Sequence, residues 1–305
     1  MREFFLSGIA DEAADDPEGQ INIIESLGWK YLEARRIDGK NIHDVDDAVF
    51  DKICAALDNA GIKVNCFSSA IANHGTPVDS DFEATMVVVK RAITRMHRLK
   101  VPFIRIMSYM VLRDKDGRAL ADQKEEKRFE QLRKICGTFL DAGISPLHEN
   151  AFSYGSMSWE HTLKLLDAVP GLKLVHDTGD SGVTPDYRKP FPYPQQDCWE
   201  VWEHTKAHVA HIHINDACWD SENEKSIFFY PGQGDCEVAR VLSDALASGY
   251  SGNFTIEPNL VTGLYSEIPK SSPEYRTKSF TAYAKITEDL FRSIGCEVRD
   301  GAVYL

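Results

Sequence analysis

The feature that most narrows the fold is an eightfold alternation. Short runs rich in Ile, Val and Phe are each followed by a longer stretch of helical period. The strand candidates are Phe4–Ile9, Tyr31–Ile37, Lys63–Ser68, Phe103–Ser108, Ile144–Asn150, Leu172–Asp177, Val209–Asn215 and Asn253–Glu257. Helices are expected over Asp46–Asn59, Asp81–Leu99, Lys124–Ala142, from Ser158 onward, over Val238–Leu246 and over Phe280–Ile294. In the first of these, Val49, Phe50, Ile53, Ala56 and Leu57 share one face. Several junctions repeat one grammar of helix, glycine, strand, as in Ala60-Gly61-Ile62 and Ala142-Gly143-Ile144. A left-handed glycine cap feeding straight into a strand suits the N-terminal face of a βα repeat. Eight such units in 305 residues predict an α/β fold, a (β/α)8 TIM barrel forming one domain over residues 1–305. The competing architecture is an open doubly wound sheet, against which no Gly-x-Gly-x-x-Gly follows the first strand.

Charge limits the partners. With 34 Lys+Arg against 47 Asp+Glu the formal net charge is −13, the wrong sign for a protein that displaces counterions from a nucleic acid. No run approaches the roughly 20 apolar residues of a membrane span. The opening Met1-Arg2-Glu3-Phe4-Phe5-Leu6 lacks the plan of a signal peptide. Seven scattered cysteines without a Cys-x-x-Cys pair read as reduced thiols. The expectation is a cytoplasmic protein with no nucleic-acid or membrane partner.

The chemistry gathers at the ends of the last four strands. They close on His148-Glu149-Asn150, His176-Asp177-Thr178, His211-Ile212-His213-Ile214-Asn215-Asp216 and Ile256-Glu257-Pro258. In a closed barrel, Glu149, Asp177, His213 and Glu257 can converge near the mouth. Three carboxylates and an imidazole would repel without a cation between them, and a divalent metal resolves this. Oxygen-rich ligands with one nitrogen suit Mn²⁺, Mg²⁺ or Co²⁺ better than a closed structural zinc site, although Zn²⁺ stays an option. Strand alternation sorts the histidines. His148 and His176 should face the helices, whereas His211 and His213 share the inner face, His211 lying deeper.

These segments, with Gly232-Gln233-Gly234 and Gly249-Tyr250-Ser251-Gly252, resemble the sugar phosphate isomerase/epimerase family. Its members are xylose isomerase-like TIM barrels, among them ketose 3-epimerases and inosose dehydratases. Asp11-Glu12 and Glu33-Ala34-Arg35 fit the N-terminal half of the pattern more weakly. The resemblance implies that Glu149, Asp177, His213 and Glu257 hold a divalent metal, typically manganese. It also implies that Glu149 and Glu257 are the catalytic acid and base. They would act on opposite faces of a small carbohydrate, abstracting a proton next to a carbonyl through a metal-stabilised enediolate.

The sequence departs from the free-ketose enzymes where substrate is read. Asp180 stands where they have His, Trp219 where they have Arg, and Tyr154 and Gly155 near a place of Glu. Asn215 replaces the Lys of inosose dehydratases. Candidate substrate-binding residues are therefore Arg105, Asp180, His211, Trp219 and His74. Arg105 either reaches a substrate oxygen or forms a buried ion pair with Glu33 or Glu149. His74 is either a lid acid or base or an ordinary loop residue. Isomerisation or epimerisation leads. The alternative is a lyase or dehydratase eliminating from a 3-keto-sugar or 3-keto-glycoside, as in the metal-binding subunit of C-glycoside deglycosidases. Phosphodiester hydrolysis on the same architecture would want more histidines and a basic groove. A non-catalytic binding barrel or partner subunit would lack a stoichiometric metal. A homo-oligomer is compatible with the family.

Overall fold

The computed structural model describes residues 2–260 and 272–305. Eight barrel strands run in chain order: β1 Glu3–Gly8, β2 Tyr31–Ala34, β3 Lys63–Ser68, β4 Phe103–Ile106, β5 Ser145–Glu149, β6 Lys173–Asp177, β7 Val209–Ile214 and β8 Phe254–Ile256. Neighbours pair in parallel from β2 through β8 and from β8 to β1. A parallel bridge between Ile9 and Glu33 joins β1 to β2 and closes the ring. The expected architecture is thus the observed one. Among the described residues, no helix is long and apolar enough to cross a membrane.

The helices that cover the barrel are α1 Pro17–Ser26, α2 Asp47–Ala60, α3 Phe82–Leu99, α4 Glu125–Asp141, α5 Trp159–Ala168, α6 Cys198–Thr205, α7 Val238–Ala247 and α8 Pro273–Ser293. Helix α2 buries Phe50, Ile53, Cys54 and Leu57 and stops at Gly61, whose φ of 66° lets its N–H close on the last carbonyls. Ser158 caps α5 by accepting from the His161 N–H. Three boundaries depart from expectation. Helix α8 starts seven residues before Phe280 because Ser272 caps it and Pro273 opens it, while its exposed first two turns carry no apolar stripe. Helices α1 and α6 were not delimited beforehand, being short, with few apolar positions to set a period.

Alternation gives each strand a helix face and an axial face. Ile104, Ile106, Ile212, Ile214, Phe254 and Ile256 join the apolar layer beneath the helices. The axis instead receives polar groups such as Ser7, Asn65, His211 and Thr255, which are buried and hydrogen-bonded to one another or to Glu33. Three antiparallel hairpins were not expected. Arg36–Ile37 pairs with Lys40–Asn41, and Asp216–Asp220 pairs with Lys225–Phe229 inside a stretch read as loop. Glu297–Arg299 pairs with Ala302–Tyr304, whose outer edge pairs with Glu3–Phe5 of β1. Of the loop expected over 259–273, residues 261–271 lie outside the described residues.

Candidate metal centre and active site

Parallel register brings the strand ends level. Asp177 stands opposite His213 across β6 and β7, and Thr255, two residues before Glu257, stands opposite His213 across β7 and β8. Asn150, just past β5, accepts from the Asp177 N–H and donates to its carbonyl, both within 2.9 Å, so it pins the end of β6. His148 and His176 point outward as alternation requires. His148 lies 2.9 Å from the Ser108 hydroxyl, and His176 meets the edge of Trp202.

Glu149, Asp177, His213 and Glu257 each aim one donor atom at a common point, all within 4.8 Å of one another. His213 Nδ1 lies 2.7 Å from Glu149 Oε1 and 2.9 Å from Glu257 Oε2. All four residues are buried. Yet Glu149 Oε1, Asp177 Oδ2 and His213 Nδ1 have no hydrogen-bond partner, a costly condition in a dry interior. Short contacts without hydrogen-bond geometry are what ligand atoms show when they face a cation rather than each other. The set is oxygen-rich with one imidazole and no thiolate, so these residues fit a divalent ion of the Mn²⁺ or Mg²⁺ kind.

The opposite edges of the same groups are tied down. Asp177 Oδ1 accepts from the Gly179 and Asp180 N–H groups, each at 2.8 Å. Glu149 Oε2 accepts from Arg105 Nη1 at 2.8 Å, and Glu257 Oε1 from Arg35 Nη1 at 2.7 Å. Arg35 is itself fixed by Asp11 and Glu12. On the far side of the imidazole, His213 Nε2 lies 3.0 Å from Glu33 Oε1.

The charges of this cluster oppose one another. Burial, then the Glu257 and Glu149 carboxylates, push Asp177 well above the ordinary carboxylate range. Burial, with Asp177 and Glu149, does the same to Asp180. Burial alone would lower His213, but Glu33, Glu149 and Glu257 hold it well above the usual histidine range. Burial would also raise Glu257, yet His213 and Arg35 bring it down to about 2. Glu12 goes up to about 8, burial outweighing Arg35. Such opposed shifts among adjacent buried carboxyls are what a divalent charge would relieve.

The family's sequence pattern, described as the xylose isomerase-like TIM barrel, matches residues 21–275. The chain belongs to this family. Among solved structures, a xylose isomerase domain protein from Planctomyces limnophilus is similar at 17% identity and TM-score 0.68, covering 95% of this chain and 97% of that one. A xylose isomerase-like TIM barrel protein from Mycobacterium smegmatis, in complex with magnesium, is 13% identical at TM-score 0.65, covering 95% and 98%. D-psicose 3-epimerase from Clostridium cellulolyticum H10, solved with D-tagatose, is 15% identical at TM-score 0.66, covering 94% and 99%. No curated protein matches the chain in sequence. In this xylose isomerase-like barrel the described strands form one closed parallel ring.

A cavity of about 390 Å³ opens beside the metal-ligand set, lined among others by Arg105, His74, Asp180 and two of the four converging residues, Glu149 and Glu257. Three of the five residues expected to bind substrate therefore line it. Trp219 does not. The Asp216–Asp220 hairpin carries it to the surface, 36% exposed, beside a separate depression with Cys218 and Glu237. His211 does not either. It lies one inward position below His213, fully buried, 2.8 Å from Glu33 Oε2 and 2.9 Å from the Thr255 hydroxyl. Arg105 forms the expected buried ion pair with Glu149 and also lines the cavity, and its Nε is left without a partner. Arg35 and Glu33 were not singled out as site residues. Their signal was the weaker fit of Glu33-Ala34-Arg35 to the N-terminal half of the family pattern.

The Gly232-Gln233-Gly234 segment is held by Asp216, whose Oδ2 accepts from the Gly232 and Gly234 N–H groups at 2.8 and 3.0 Å. A Cβ on Gly234 would sit 2.4 Å from Asp216 Oδ1 and 2.8 Å from the Ala217 nitrogen. Gly234→Ala is expected to cost about 1–3 kcal/mol of stability by this overlap, read as a lower urea midpoint with an unchanged slope.

Proposed function

We propose that the protein is a divalent-metal-dependent sugar or keto-sugar isomerase or epimerase that works by proton transfer next to a carbonyl. The observation that carries this reading is the set of buried, unpartnered atoms on Glu149, Asp177 and His213, with Glu257 completing it. Those four residues would hold the ion. Bound there, it would polarise a substrate carbonyl and stabilise the negative charge that develops on its oxygen.

The chain's own groups would do the rest. Glu149 Oε2 and Glu257 Oε1 are the oxygens turned away from the convergence point, each accepting from an arginine donor. One would take the proton from the carbon and the other would return one to it. Arg35 has its donors committed to Asp11, Glu12 and Glu257, so it would keep Glu257 in place. Arg105 lines the cavity beside Glu149, so its guanidinium would receive a substrate oxygen. The cavity volume suits a small molecule, such sites running to about 300–1,000 Å³. D-Psicose 3-epimerase, the relative solved with D-tagatose, supports sugars as the class to try.

A second reading, elimination from a 3-keto-sugar or 3-keto-glycoside, is favoured by Asp180. This buried carboxyl on the cavity wall could protonate a departing oxygen. The deciding experiment is metal analysis of protein purified without chelator, followed by incubation with D-tagatose, D-psicose and 3-keto-glucosides in D₂O. Deuterium at the carbon next to the carbonyl, abolished by chelator and restored by Mn²⁺, is the expected result. Release of water or aglycone would assign the lyase. Absence of both exchange and stoichiometric metal would refute the proposal.

A further inference from the structure

Beneath the metal-ligand set lies a second group of ionisable residues, Glu33, His211 and His213. Its geometry differs from the first in one decisive respect. Both oxygens of the Glu33 carboxylate, 1% exposed, are fully engaged. Oε1 accepts from the Ser68 hydroxyl at 2.5 Å and faces His213 Nε2 at 3.0 Å. Oε2 accepts from the Thr255 hydroxyl at 2.7 Å and faces His211 Nε2 at 2.8 Å. With four neighbours able to donate and no lone pair aimed at open space, this group needs no ion of its own. Glu33 is instead built as an acceptor for hydrogen bonds from β3, β7 and β8.

The backbone has been bent to allow this. The pairing of β2 with β3 slips between Leu32 and Glu33, so that Leu32 faces Val64 and Glu33 faces Cys66. The pairing of β6 with β7 slips between Leu174 and Val175, so that Leu174 faces Val209 and Val175 faces His211. Such shifts re-aim side chains, and they fall beside Glu33 and His211 themselves.

We infer that Glu33 is a positioning residue that sets which nitrogen of His213 can serve the metal. A ligating imidazole keeps one proton, and the group accepting it decides the tautomer and the ring angle. Glu33 Oε1 accepts a hydrogen bond from that Nε2–H, leaving the Nδ1 lone pair pointing at Glu149, Asp177 and Glu257. Ser68, Thr255 and His211 hold the carboxylate still, which gives His211 a place in the metal centre without contact with substrate. This inference rests on the metal-centre reading proposed above, and the test separates the two.

Zinc-loaded protein labelled with ¹⁵N histidine, its ring signals assigned by single His→Gln variants, should show His213 protonated at Nε2 with Nδ1 bound to the metal. In parallel, Mn²⁺ affinity should fall roughly 10- to 100-fold in Glu33→Gln, whose amide N–H groups would meet a donor. In Ser68→Ala, which removes one of four donors around Glu33, affinity should fall by less than in Glu33→Gln, because His213, His211 and Thr255 still hold the carboxylate. A proton at Nδ1 with Nε2 on zinc overturns the inference, whether or not Glu33→Gln folds. So does a folded Glu33→Gln that binds Mn²⁺ as the wild type does. Wild-type protein that takes up neither metal overturns the metal-centre reading along with it.

Discussion

Glu257→Gln is expected to abolish exchange of solvent deuterium into a keto-sugar while leaving the barrel folded. The amide keeps the shape of the side chain and one oxygen for a metal, but it has no basic site for a proton at Oε1, the atom now facing Arg35. Loss of a positioned acid or base typically costs about 10²–10⁴ in rate, or roughly 3–5 kcal/mol of barrier. The fold should survive because Arg35 retains Asp11 and Glu12 when the Glu257 charge is gone. The measurement is deuterium incorporation by proton NMR, with a thermal melt and metal content on the same sample. Exchange within a few-fold of wild type, at full metal occupancy, would remove Glu257 from proton transfer and leave it a ligand only.

Much of this site was legible in the amino-acid order because barrel geometry converts strand ends into neighbours. Glu149, Asp177, His213 and Glu257 each stand at or just past a short apolar run, and parallel register brings such ends to one height. The outward turn of His148 and His176 followed from period two alone. What stayed hidden depended on contacts across the barrel or on local departures from period. Glu33 meets His213 over a separation of 180 residues, and Arg35 meets Glu257 over 222. Apart from the weaker fit of Glu33-Ala34-Arg35 to the family pattern, nothing local distinguishes these two charges from solvated ones at a strand end. Trp219 is absent from the cavity lining for a different reason: residues 216–220 form a hairpin with 225–229 that leaves Trp219 exposed, while Phe228 of the same hairpin lines the cavity. His211 was placed correctly in depth, and that depth keeps it from substrate.

The largest effect on metal binding is expected from His213→Ala. The substitution removes the only nitrogen donor of the set and leaves Glu149, Asp177 and Glu257 as three buried acids around a gap. It also takes a partner from Glu33, whose Oε1 would keep only the Ser68 hydroxyl. Two consequences should appear together. Metal affinity should drop by more than the roughly 10- to 100-fold typical of losing an outer partner, so that protein purified without chelator carries little divalent ion. Stability without metal should fall by about 3–5 kcal/mol, as when one member of a buried charged group is removed. Linkage then supplies a readout that needs no substrate. Metal at 100 times its dissociation constant stabilises the folded form by about 2.7 kcal/mol, so Mn²⁺ should raise the melting temperature of wild type by several degrees and leave His213→Ala unmoved. The variant starts from a lower melting temperature, so the diagnostic quantity is the shift on adding metal. An equal shift in both proteins would mean that the ion binds elsewhere, and the four converging groups would then need another explanation for their unpartnered atoms.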